Sequence, residues 1–140
     1  MRLLHASLII SDLTVATQFY EEILGFQRDV RPDLGFTGVF YQLGGGQQLH
    51  LMQVDNPYQD CTRPAHGGRD YHLAFAVDDI QNLAEKLEKS GIDFTRSQSG
   101  RAALFCRDPD CNVLEFSQVI ESKLGMIASL NIGSTLPPHV

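Results

Sequence analysis

The chain carries one pattern twice. Leu4-His5-Ala6-Ser7-Leu8-Ile9-Ile10-Ser11-Asp12-Leu13 is answered 67 residues later by Tyr71-His72-Leu73-Ala74-Phe75-Ala76-Val77-Asp78-Asp79-Ile80. Gln48-Leu49-His50-Leu51-Met52-Gln53 is echoed 65 residues later by Val113-Leu114-Glu115-Phe116-Ser117-Gln118. Two copies of one pattern require two copies of one supersecondary unit, which restricts the fold more than any bulk property does. The echoed positions also match chemistry, since they place His5, His50, His72 and Glu115 at corresponding points of the two units.

Each unit reads as strand, helix and three strands. Leu3 to Ile10 is an apolar strand. Val15, Phe19 and Ile23 then recur at helical spacing, with Ser11 or Asp12 placed to cap the start and Gly25 to end it. Extended segments follow near Gln27–Arg31, Gly38–Leu43 and Gln47–Val54, the last two joined at Gly44-Gly45-Gly46. Breakers crowd Asp55 to Arg69: Asn56, Pro57, Pro64, Gly67 and Gly68. The order then repeats, with a strand at Tyr71–Val77 and a helix with Ile80, Leu83, Ala84 and Leu87 on one stripe, capped by Asp78 or Asp79. Strands near Asp93–Arg96, Arg101–Arg107 and Asn112–Gln118 complete it, with a turn at Asp108-Pro109-Asp110. The expected class is α+β: a βαβββ module over 1–54, a linker over 55–70, a second module over 71–118 and a tail over 119–140. A short helix near Ile120–Leu130 or a mobile tail are both open at this point.

Alternation along the strands assigns faces. Leu4, Ala6, Leu8 and Ile10 oppose His5, Ser7 and Ile9; Leu49 and Leu51 oppose His50; Leu73, Phe75 and Val77 oppose His72; Leu114 and Phe116 oppose Glu115. Each strand has an apolar face for the helices and a smaller, mixed face that carries the His or Glu. Ser7, Ala74, Ala76 and Ser117 leave room above that face, as a pocket needs. Three imidazoles and a carboxylate suit one borderline divalent ion, Fe, Ni, Zn, Co or Mn, and do not suit calcium. With four protein ligands an octahedral ion keeps two open positions for water or a bidentate substrate, which allows Lewis-acid chemistry. Arg69, just before the His72 strand, is the candidate for holding an anionic substrate group, with Arg101 and Arg107 as weaker candidates. His66 and His139 are expected in solvent, without a role.

Bulk properties exclude other classes. With 140 residues the chain fits one domain or two small fused modules. A net charge of −6 without a basic run gives no nucleic-acid footprint. No apolar stretch reaches bilayer length and no secretory signal is evident, so a cytoplasmic location without a membrane partner is expected. Cys61, Cys106 and Cys111 show no Cys-x-x-Cys spacing and read as reduced thiols.

The tandem units, His5 on the first strand, Ser11-Asp12-Leu13…Phe19-Tyr20…Leu24-Gly25-Phe26 and Asp108-Pro109-Asp110…Asn112-Val113-Leu114-Glu115 together resemble the vicinal oxygen chelate superfamily, which includes glyoxalase I, fosfomycin-resistance transferases, methylmalonyl-CoA epimerase, extradiol dioxygenases and bleomycin-binding proteins. The resemblance spans residues 3 to 118. It implies paired modules forming a cupped mixed sheet around a metal, with helices on the outer face and the cup commonly completed by dimerisation, so a homodimer is expected. It matches His5, His72 and Glu115 to the metal triad of fosfomycin-resistance and dioxygenase members. His50 falls where bacterial glyoxalase I has a ligating Glu, which leaves Glu115 as the catalytic base for moving a proton between adjacent carbons. The implied function is a metal-dependent enzyme on a small substrate with vicinal oxygens, of glyoxalase I-like isomerase or lyase chemistry. The alternatives are an Fe(II) extradiol-type dioxygenase and a non-catalytic, resistance-type small-ligand-binding protein.

Overall fold

The computed structural model describes residues 1–119; the tail from residue 120 onward, including the helix expected near Ile120–Leu130 and His139, lies outside the described residues. Strand β1 (His5–Ile10) leads into helix α1 (Leu13–Thr17), which continues as a π-helical segment (Gln18–Ile23). Strands β2 (Gln27–Asp29), β3 (Gly38–Gly44) and β4 (Gln47–Gln53) complete the first unit. After a short 3-10 turn (Gly67–Arg69), β5 (His72–Val77), α2 (Ile80–Lys89), β6 (Phe94–Arg96), β7 (Ala103–Arg107) and β8 (Val113–Gln118) repeat it. The strands form two four-stranded mixed sheets, ordered β1-β4-β3-β2 and β5-β8-β7-β6. This is the α+β tandem βαβββ architecture.

Matching extends to register. Ser7 lies opposite His50 in the parallel pair β1–β4, and Ala74 lies opposite Glu115 in β5–β8. Phe40 faces His50 across β3–β4, and Phe105 faces Glu115 across β7–β8. Because side chains alternate along a strand, this shared register carries His50 and Glu115 to the same face of their sheets; the β3–β4 pairing shifts only beyond them, between Gln42 and Gly44. Burial follows the expected alternation most cleanly in β5, where Leu73, Phe75 and Val77 are half-buried between exposed neighbours.

Both helices start by the same device. Asp12 accepts from Val15 N at 2.9 Å, and Asp79 accepts from Gln81 N and Asn82 N at 3.0 and 2.9 Å. The last residue of each final strand supplies a second acceptor: Gln53 Oε1 takes Leu13 N at 2.8 Å, and Gln118 Oε1 takes Ile80 N at 3.0 Å. In α2 the buried stripe is Ile80, Ala84 and Leu87, with Leu83 half-buried, at the spacing the sequence predicts. Each large side chain of such a stripe contributes about 1.5–3 kcal/mol by leaving water.

The first helix departs from its predicted stripe. Val15 is 45% exposed, while Ala16, Phe19 and Tyr20 are buried. The cause is the π-helical segment: Leu24 N reaches Phe19 O and Phe26 N reaches Tyr20 O, so the wider turn changes the helical phase in mid-element.

One core spans both units. Tyr20, Tyr41, Leu49 and Leu51 join Leu87, Leu104, Leu114 and Phe116, and the Phe26 and Phe75 rings meet at 5.3 Å. Among the described residues no helix is long and apolar enough to cross a membrane.

Candidate metal site

The four candidate residues form two pairs. In the first sheet, His5 and His50 stack with ring centroids 4.3 Å apart and planes 14° from parallel. Phe40 stacks on the other side of His50 at 3.4 Å and 6°. His50 Nε2 lies 2.9 Å from Gln48 Oε1. Burial, then repulsion from His5 and Arg31, pushes the His50 imidazole below its ordinary pKa, favouring the neutral ring that a metal requires.

The second pair is a direct contact: His72 Nε2 lies 3.1 Å from Glu115 Oε2. His72 Nδ1 donates to the Asp70 carbonyl oxygen at 2.8 Å, and because a carbonyl only accepts, the ring hydrogen sits on Nδ1. In the neutral ring, Nε2 therefore turns a lone pair toward a carboxylate oxygen. Two such acceptors are stable side by side only when a cation, a proton or a metal ion, lies against both. Two donors about 2.1 Å from one ion and at right angles stand about 3.0 Å apart, which is close to the 3.1 Å observed. The donor pair fits a divalent ion.

Glu115 is buried, 5% exposed. Its Oε1 accepts from Arg101 Nη2 at 3.1 Å and Ser117 Oγ at 2.9 Å, leaving Oε2 for His72. Arg101 is thereby committed to Glu115. Arg107 is likewise committed, to Asp70 Oδ2, Cys111 O and Pro64 O. Both arginines are thus already engaged by carboxylates, Arg101 with 61% of its side chain exposed. Arg69 is exposed at the end of the 3-10 turn and enters none of the ion pairs formed among the described residues.

Asp70 anchors the approach to β5. Arg63 contacts both of its oxygens, at 2.8 and 3.0 Å, and Arg107 adds a third contact at 3.0 Å. The Arg63 bond, aided by Arg107, holds the Asp70 carboxyl below its ordinary pKa. An Asp70 fixed in this way fixes the carbonyl that orients His72.

His66 also departs from expectation. It is half-buried, with Nδ1 2.8 Å from Thr95 Oγ1 and its ring edge-on to Phe105 at 5.0 Å. Phe105 meets His72 in the same way at 5.4 Å. Motif reading missed Phe40 and Phe105, the aromatic walls of the two pairs, although they stand 65 residues apart, the offset of His50 and Glu115.

Among the described residues no three His, Cys, Asp or Glu side chains converge to hold a metal ion, so the four candidates do not meet as one set within this chain. A cavity of about 560 Å³ borders Ser7 and Ile9 on the His5 face of β1 and reaches Arg63 and Tyr71; none of the four candidates lines it.

The family described as the Glyoxalase/Bleomycin resistance protein/Dioxygenase superfamily matches residues 2–116. A lactoylglutathione lyase of Haemophilus influenzae is 27% identical over 134 residues, covering 90% of this chain and 98% of the relative. Human mitochondrial methylmalonyl-CoA epimerase is 28% identical over 120 residues, covering 79% of this chain and 68% of the relative. Among solved structures, the trypanothione-dependent glyoxalase I of Leishmania major superposes with a TM-score of 0.68 at 24% identity, over 94% of this chain and 95% of that one, a likeness of fold. With two βαβββ units in matched register and a family match across nearly all the described residues, the chain belongs to the Glyoxalase/Bleomycin resistance protein/Dioxygenase superfamily.

Proposed function

We propose that the protein is a metal-dependent enzyme acting on a small substrate with vicinal oxygens, with glyoxalase I-like isomerase or lyase chemistry. In this reading it works as a homodimer in which His5 and His50 of one copy face His72 and Glu115 of the other across one divalent ion, which requires the His5–His50 stack to open so that both rings can turn a lone pair to the ion. The observation that carries it is the division of the donors into two matched pairs, each beginning on an edge strand. Among the described residues β1 pairs only with β4 and β5 only with β8, so each has a second edge to offer another strand. In this reading, pairing those edges between two copies would bring His5 beside His72. Relatives named as a lyase and an epimerase support enzyme chemistry over simple sequestration.

A divalent ion held by these residues supplies Lewis-acid polarisation of a bound carbonyl, which acidifies the adjacent C–H. The chain's own contribution is proton transfer and orientation. Arg101 and Ser117 pin Oε1 of Glu115, so Oε2, once detached from its ligand role, would be the atom that takes the proton from one carbon and returns it to the next. Phe40 and Phe105 wall the two pairs with apolar surface, which keeps water from competing for that proton. Arg69, exposed just before β5, is the residue this reading assigns to an anionic substrate group.

The test is complementation. After reconstitution with Ni²⁺, Zn²⁺ or Fe²⁺, elemental analysis should find metal in the wild type and little in His5→Ala or Glu115→Ala. A mixed dimer of the two variants should regain one intact site, because each copy supplies the pair the other lacks. Equal metal content in wild type and both variants ends the metal reading; metal lost in both but not regained on mixing ends the shared-site reading.

A further inference from the structure

We propose that the outer face of the His5 ring is a binding subsite for a planar aromatic ring of a small ligand. Three rings stand in a column across the first sheet. Phe40 on β3 and His50 on β4 are direct register partners, and their rings stack at 3.4 Å and 6°. His5 on β1 stacks against the other face of His50 at 4.3 Å and 14°. Ser7 is the register partner of His50 on β1. Its small side chain leaves room for the ring of His5, two residues along the same face, to lean toward His50.

The two ends of the column differ. Arg31 Cζ lies over the Phe40 ring, 5.7 Å from its centre, and because His50 occupies the other face, the guanidinium closes that end. Arg31 also lies over Phe36 at 5.0 Å and donates from Nη2 to Phe36 O at 2.7 Å, which holds it there. His5, at the opposite end, is exposed, and among the described residues no ring other than His50 stacks on it. Among those residues β1 is also the edge of its sheet, so the fourth place in the column lies beyond the last strand. The cavity of about 560 Å³ that borders Ser7 and Ile9 adjoins this place along the same face. Its volume falls in the range of small-ligand sites, about 300–1,000 Å³. Tyr58, Tyr71 and Asn112 on its wall offer the rest of such a ligand apolar surface and hydrogen-bond partners.

A flat, exposed imidazole face whose back is already stacked favours another flat ring, because offset parallel rings attract beyond the area they bury. An aliphatic ring of the same size buries similar area without that gain. The column is not a requirement of the fold. In the second unit Phe105 holds the register position of Phe40, but its partner there is Glu115, and His72 meets Phe105 edge-on at 87°. The same module forms with no column of rings. The subsite exists while the His5–His50 stack is closed, and it does not rest on the metal reading.

The experiment is NMR titration of the full chain, kept metal-free with a chelator, using benzoate and, in parallel, cyclohexanecarboxylate. The two probes share charge and approximate size, and only benzoate has an aromatic ring. Benzoate should move the His5 ring protons upfield and show NOE contacts to them, while His66 in the second unit stays unmoved. Cyclohexanecarboxylate should do neither. His5→Leu should weaken benzoate binding about 2–10-fold. His5→Phe, which keeps a ring but has no metal-binding nitrogen, should restore it. Unmoved His66 signals in both variants show that each has folded. Equal shifts with the two probes, no His5 shift with benzoate, or His5→Phe binding as weakly as His5→Leu overturns the proposal.

Discussion

Tyr20 Oη donates to Asp108 Oδ2 at 2.8 Å, a buried bond between residues 88 positions apart that joins the first helical segment to the β7–β8 turn. The turn completes the junction: Asn112 Nδ2 donates to Ile9 O at 2.9 Å, and Asp110 Oδ1 accepts from Ser11 N at 3.0 Å. Tyr20→Phe keeps the ring in the core and deletes only the hydroxyl. Because the acceptor is a buried carboxyl, the variant should lose about 1.5–3 kcal/mol of stability, read as a lower urea midpoint with an unchanged slope.

Asp108 and Asp70 should give opposite pH dependences. Burial raises the Asp108 pKa, so the folded state holds its proton more tightly than the unfolded chain, and acidification from neutral favours folding through this group. The stability difference between wild type and Asp108→Asn should therefore shift in favour of wild type as pH falls toward the ordinary carboxylate range. The arginines lower the Asp70 pKa, so its contribution is complete above that range and lost as pH falls through it. The difference between wild type and Asp70→Asn should shrink on acidification. Parallel urea titrations from neutral to mildly acid pH check both signs, and slopes of the same sign would contradict the pair.

Cys111 has φ +66°, the left-handed region, at the register position where the first unit has Gly46 with φ +74°. A side chain there costs roughly 1–2 kcal/mol, against which glycine loses about 0.5–1 kcal/mol through its greater freedom when unfolded. Cys111→Gly should raise the thermal midpoint by a few degrees at most. A clear drop would mean the exposed thiol makes a contribution that the backbone strain conceals.

Gly67 sits where the 3-10 turn touches the second sheet, and a Cβ there would meet Val113 Cγ1 at 2.5 Å and Phe105 Cβ at 3.1 Å. Gly67→Ala should cost about 1–3 kcal/mol by overpacking. It should also lift the turn that carries Arg69, so substrate affinity should fall more than metal content does. Elemental analysis beside steady-state kinetics separates the two effects.

The candidate site was legible as far as its residues go because the chain states the pattern twice. Matched offsets singled out His5, His50, His72 and Glu115, and alternation put them on the right faces. Val15 was misplaced because a π-helical segment changes phase without any signal in hydrophobic spacing. His66 was misread because its partners, Thr95 and Phe105, lie on other strands. Arg101 and Arg107 looked available for the same reason, since Glu115 and Asp70 engage them from 14 and 37 residues away.

By itself the sequence determined the two βαβββ units and the residue types on each strand face, because periodicity and repetition are properties of order along the chain. Only the tertiary structure decided how those residues are used. It divided the four candidate residues into two pairs, turned Nε2 of His72 toward Glu115, and set Gln48 and Asp29 behind His50. Those outcomes depend on which groups meet across strands and on which of them can only accept a hydrogen bond, and linear order does not encode either.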